Sequence, residues 1–142
     1  MGDIHFFAED IDYSLDNEQD TSIWINKVIV NAKQQLGELN YIFCSDNYLL
    51  KVNQEYLNHD TYTDIITFDN SEENGTIEGD IFISIERIRE NATIQNNTFV
   101  NELNRVMVHG VLHLLGYHDK TEDEKSEMRL KEDDCLSLLQ NN

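Results

Sequence analysis

The chain has 142 residues, 39% hydrophobic and 27% charged, which is enough for one domain with one hydrophobic core and is the balance of a soluble globular protein. Its formal net charge is −18, with ten Lys and Arg against 28 Asp and Glu, and this excludes the broadly basic surface that binds nucleic acid by charge alone. It has no apolar run of about 18 residues that could cross a membrane, and MGDIHFFAED has neither the basic region nor the apolar core of a secretion signal, so a cytoplasmic protein is expected.

Ile4–Phe7 is a short strand candidate, followed by an acidic, irregular stretch from Asp10 to Asp20. Thr21 or Ser22 is expected to cap a helix through SIWINKVIVNAKQQLG that stops at Gly37, with Ile25, Val28, Ile29, Ala32 and Leu36 on one face. LNYIFCS reads as a strand. Asp46 is expected to cap the helix DNYLLKVNQEYLN, with Leu49, Leu50, Val52 and Tyr56 inward. The β-branched run DIITFD and the run IEGDIFISI, separated by an Asn-Gly turn signal, predict two strands in a hairpin or in one mixed sheet. ERIRENATIQNN reads as a short helix. Phe99–Leu115 is the best amphipathic helix, ended by Gly116, and a last helix runs from about Thr121 to Leu139 with Thr121 and Glu124 in capping-box spacing. These elements predict a single α+β domain over residues 1–142, with one mixed sheet of about four strands and about five helices. Cys44 and Cys135 sit in apolar contexts without a CxxC partner and read as reduced, buried thiols rather than metal ligands.

The chemistry concentrates in HGVLHLLGYHD, residues 109 to 119. His109 and His113 are four apart, so a helix stacks them on one face where they share one metal. Gly116 permits the left-handed turn that brings the chain back. Asp119 then falls in the register of the third ligand of the metzincin frame H-E-x-x-H-x-x-G-x-x-H, and His118 is the alternative if the turn shifts by one residue. Three protein ligands leave a fourth position open, the mark of a catalytic zinc site. Gly110 replaces the Glu that serves zinc proteases as general base, which counts against peptide hydrolysis.

HGVLHLLGYHD resembles the H-G-x-L-H-L-x-G-Y-D-H signature of the YbeY family, bacterial endoribonucleases that act in ribosomal RNA maturation. TDIITF and EGDIFIS resemble two strands of that family, and Glu102, Asn53 and Asp60 fall at matching positions. The resemblance runs from about Leu50 to Met128. It implies an α+β fold, one zinc ion, and a role in small-subunit ribosomal RNA processing and quality control. The partners it implies are ribosomal RNA, small-subunit ribosomal proteins and assembly factors, with no membrane and no DNA. Two positions differ. The family's Asp-His is His118-Asp119 here, and Leu57 stands where the family tends to carry Arg.

The expected metal ligands are therefore His109, His113 and Asp119, with His118, Arg105 and Glu102 as catalytic candidates. His118 is a proton carrier if Asp119 binds the metal. Arg105 lies one turn before His109, within reach of a phosphate. Glu102, two turns before His109, is either an orienting group for a ligand or a solvated residue near the helix start. Arg87 and Arg89 flank Ile88 as a small basic pair, and His59 is a loop histidine near the site. The leading expectation is a zinc-dependent endoribonuclease. The alternatives are a ribosome-assembly factor with a structural zinc and a metal-dependent hydrolase of another substrate.

Overall fold

In the computed structural model, which describes residues 2–58 and 62–140, the chain forms β1 (Asp3–Ala8), α1 (Glu18–Asn31), β2 (Gln35–Cys44), α2 (Asp46–Tyr56), β3 (Ile65–Asp69), β4 (Thr76–Ser84), α3 (Ile85–Ile94), α4 (Phe99–Leu114) and α5 (Glu122–Gln140). The strands make one mixed sheet in the order β1-β2-β4-β3. β1, β2 and β4 are parallel, and β3 closes a hairpin antiparallel to β4. The α+β reading and the element count hold. The expectations placed on His59 and Asp60 lie outside the described residues.

Strand alternation divides the core. Leu39, Tyr41 and Phe43 of β2, with Ile81 and Ile83 of β4, join Trp24, Ile25 and Ile29 of α1 and Met107 and Val111 of α4 in one buried cluster. The other face carries Cys44, Ile66, Phe68 and Phe82 against Leu49 and Val52 of α2. Two buried polar groups tie helices into this frame. Tyr41 Oη donates to the Met107 carbonyl at 2.9 Å, and Trp24 Nε1 donates to the Cys135 carbonyl of α5 at 2.8 Å. Both cysteines are free and buried, and burial pushes the Cys44 thiol up to about 12 and Cys135 to about 11.

Several boundaries differ from the sequence reading for identifiable reasons. α1 begins at Glu18, placing Glu18 and Asp20 in its first turn where the helix dipole favours them. It ends well before Gly37. Lys33 takes φ +61°, its N–H reaches the Val30 carbonyl at 2.9 Å, and Gln34 N–H reaches Ile29 at 3.1 Å. A lysine thus occupies the left-handed helix-stop position, and Gly37 lies inside β2. Ser45, not Asp46, caps α2 by accepting from Tyr48 N–H. The Asp46 carboxylate instead holds Arg87 at 2.9 Å. Tyr56, expected inward, is 69% exposed. The other two signals are realised as read: Gly116 ends α4 at φ +106°, and Thr121 and Glu124 exchange capping hydrogen bonds at 3.0 and 3.1 Å.

Candidate metal centre

α4 is capped by Thr98 and turns one histidine above another, so His109 Nε2 and His113 Nε2 stand 3.0 Å apart. Beyond the helix, Gly116 N–H reaches the His113 carbonyl and Tyr117 N–H reaches Leu112, both at 3.0 Å. This turn returns the chain and delivers Asp119 Oδ2 to 3.2 Å from His109 Nε2 and 3.4 Å from His113 Nε2. Of the two neighbours, Asp119 is the one carried to the histidine pair. His118 is exposed and lines a separate depression with Gln34, Gly116 and Glu124, because adjacent residues of extended chain project to opposite sides.

The far ring nitrogens are also held. His109 Nδ1 lies 2.6 Å from Glu132 Oε2, and His113 Nδ1 lies 3.1 Å from the Tyr117 carbonyl. Both partners are acceptors, so each Nδ1 carries the proton and each Nε2 presents a lone pair. Two nitrogen lone pairs and a carboxylate oxygen facing one another at 3.0–3.4 Å repel unless a cation lies among them. Ligand bonds of about 2.0–2.1 Å in a tetrahedral zinc site separate the ligand atoms by about 3.4 Å, so this donor set fits such an ion.

Glu132 is 5% exposed and doubly committed. Its second oxygen accepts from Arg105 Nη1 at 2.8 Å, while Arg105 Nη2 donates to Asp133 at 2.7 Å. Burial favours the neutral form of Glu132, but the hydrogen bonds from His109 and Arg105 outweigh it and hold the carboxyl below its ordinary range. His109 answers in the opposite sense. Burial lowers it, yet its bond to Glu132 and the charges of Glu132, Asp119 and Asp64 leave it above the usual imidazole value. Burial and the neighbouring His109 push His113 below it.

A cleft of about 710 Å³ opens in front of the histidines, bounded by Asn53 of α2, Leu57 just beyond it, the edge strand β3, and Asp119–Lys120. Ser84 N–H bonds to the Asp64 carbonyl and Asn70 N–H to Glu78, so the even residues of β3 pair with β4 and Ile65, Thr67 and Asp69 turn their backbone groups to the open edge along this cleft. A smaller cleft of about 240 Å³ lies behind His109, lined by Asp64, Glu102, Arg105, Arg129 and Glu132. Asp64 borders both clefts. Burial raises its carboxyl above the ordinary range, and Asn91 Nδ2 approaches it at 3.5 Å. Glu102 is 3% exposed rather than solvated, and its Oε1 has no hydrogen-bond partner among the described residues. Burial and the Asp64 charge raise its carboxyl too.

The basic pair lies apart from the centre: Arg87 is held by Asp46 and Glu90, and Arg89 stacks over Phe99. Met128 is a core residue, and His5 pairs with Glu38 in an exposed group with Asp3. Sequence reasoning missed Glu132 and Asp64. Glu132 had one available signal: it falls between Met128 and Cys135 at helical spacing, a charge on the inward face of α5.

A family model described as Endoribonuclease YbeY matches residues 5–140. Among relatives bearing that name, the one from Cytophaga hutchinsonii is 56% identical over 135 residues, covering 95% of this chain and 94% of its own. The one from Christiangramia forsetii is 51% identical over 138 residues, covering 97% and 95%. Among solved structures, the solution structure of TM1509 from Thermotoga maritima superposes with a TM-score of 0.70 at 26% identity, covering 96% of this chain and 88% of that one.

Proposed function

The chain belongs to the endoribonuclease YbeY family, and from that membership we propose that it cleaves phosphodiester bonds within ribosomal RNA during small-subunit maturation and quality control, in the cytoplasm, with one zinc ion held by His109, His113 and Asp119. The convergence of two Nε2 lone pairs and one carboxylate oxygen, each nitrogen oriented by an acceptor on its far side, carries the metal part of this reading.

The division of labour follows from the positions. Glu132 and the Tyr117 carbonyl keep both imidazoles in the tautomer that offers Nε2. The Gly116 turn supplies Asp119 and leaves the side facing the large cleft open. A zinc ion there supplies Lewis acidity toward a phosphoryl oxygen. Asp64 borders the cleft without an ion-pair partner among the described residues and is the residue we assign to accept the proton of the attacking hydroxyl. Arg105 braces Glu132 through its ion pair, and Glu102 sits behind His109 as a buried carboxyl. The acidic outer face of α5 suits basic small-subunit proteins or assembly factors.

Metal analysis combined with cleavage of a structured ribosomal RNA fragment tests the reading. The expected result is one zinc per chain and metal-dependent cleavage, with both lost in His113→Ala. Zinc without cleavage would favour the assembly-factor reading instead.

A further inference from the structure

The two clefts beside the histidines are continuous. Asp64, Ile65, His109 and Asp119 line both of them, so the larger and the smaller meet at the candidate metal centre. Each also has an exposed cation that the other lacks. Lys120 lines the larger cleft and Arg129 the smaller one.

These two cations differ from most others in the chain. Arg87 is held by Asp46 and Glu90, and Arg105, the second cation of the smaller cleft, is held by Glu132 and Asp133. Arg89 lies over Phe99, Lys131 lies over Tyr117, and Lys125 reaches Glu122. The Lys120 ammonium and the Arg129 guanidinium have no hydrogen-bond or ion-pair partner among the described residues. Their backbones are nonetheless fixed. Lys120 N–H donates to Glu124 Oε1 at 3.2 Å at the start of α5, and Arg129 follows the buried Met128 within that helix. An anchored backbone with an uncommitted charged end lowers the ordering cost of holding an external anion.

The charge balance sets what kind of anion contact this chain can make. At net −18 it has no broad basic face along which a polyanion could lie. Contacts to single phosphates need only local cations, and they fix the register of a strand without reading its bases. A strand whose scissile phosphate lies at His109 and Asp119 has further phosphates on both sides of that bond, one toward each cleft.

We propose that Lys120 and Arg129 bind backbone phosphates on opposite sides of the bond that is cleaved, so that the RNA strand runs from the larger cleft past His109 and Asp119 into the smaller one. This rests on the endoribonuclease reading and names the residues that lay its substrate across the site.

The test measures binding of a single-stranded RNA fragment to the zinc-loaded full chain by fluorescence anisotropy, recorded before cleavage sets in and over a range of salt concentrations. Two phosphate contacts to a single strand predict a slope of log K against log salt of about −1.4. Arg129→Gln and Lys120→Gln should each make that slope shallower by about 0.7 and weaken binding about two- to fivefold at low salt. Zinc content should stay at the wild-type level, and KM for cleavage should rise while kcat holds. Arg129→Lys and Lys120→Arg keep the charge and should keep the wild-type slope. Lys33→Gln removes the same charge from a residue that lines neither cleft and should also keep it. An unchanged slope in either of the Lys120→Gln and Arg129→Gln variants overturns the proposal, as does an equal change in Lys33→Gln or a loss of binding that tracks zinc content. Wild-type protein that cleaves RNA while those slopes stay fixed refutes the phosphate contacts alone. Wild-type protein that binds no RNA refutes the nuclease reading with them.

Discussion

Glu132 sets the electrostatic state of the histidine pair from 23 positions away in the chain. Its hydrogen bond holds His109 in the Nδ1–H tautomer and makes Nε2 a better donor. Glu132→Gln is expected to weaken zinc binding about 10–100-fold, read by competition with a chromophoric chelator, and an unchanged affinity would remove Glu132 from the account. Glu102 makes the opposite kind of prediction. Its raised carboxyl means that the folded state keeps a proton which the unfolded chain releases. Stability is therefore lost as pH rises from the ordinary glutamate value through the raised one. Glu102→Gln removes that penalty and should stabilise the metal-free protein by about 1 kcal/mol at neutral pH. The gain should fade toward acid pH, where both side chains are neutral, as followed by urea denaturation at several pH values. At this scale the sequence was readable where the proposed ligands are close in the chain. His109, His113 and Asp119 share one helix and its turn, so their spacing carries the geometry. Glu132 and Asp64 arrive from α5 and the start of β3, and no local spacing records that meeting.

α4 was legible as an element because its apolar face, its Thr98 cap and its Gly116 stop agree with one another. Gly110 within it has a second meaning that only packing reveals. A Cβ there would lie 3.0 Å from Ile81 and 3.1 Å from Ile65, so the glycine lets α4 approach the sheet closely enough to set the histidines over β3. The position that holds a base in zinc proteases is thus a contact surface in this chain. Gly110→Ala sets overpacking of about 1–3 kcal/mol against the roughly 1 kcal/mol that Ala gains over Gly inside a helix, so a net loss of about 1 kcal/mol is expected, with an unchanged urea m-value, and Gly110→Glu should cost more and yield no protease activity. A Gly110→Ala protein more stable than wild type would show that the approach is not tight. The end of α1 was illegible for the converse reason. Lysine carries no signal for a left-handed stop, so the glycine further on was read in its place.

For the whole molecule, the −18 charge opposes compaction by self-repulsion. Raising ionic strength from about 10 mM to about 300 mM shortens the screening length severalfold and should raise the melting temperature by a few degrees. A fall on adding salt would mean that paired charges outweigh the repulsion. Composition made this imbalance plain and hid its arrangement, in which Arg105, the buried Glu132 and the exposed Asp133 join α4 to α5 through an acid-base network. That network also gives the last helix a thermodynamic part to play. The carboxylate that buttresses His109 belongs to α5, so occupancy of the proposed ion site would be reciprocal with the seating of α5, each raising the equilibrium constant of the other by the same factor. A protein that gripped the outer face of α5 would thereby sense whether an ion is loaded at a site it never touches.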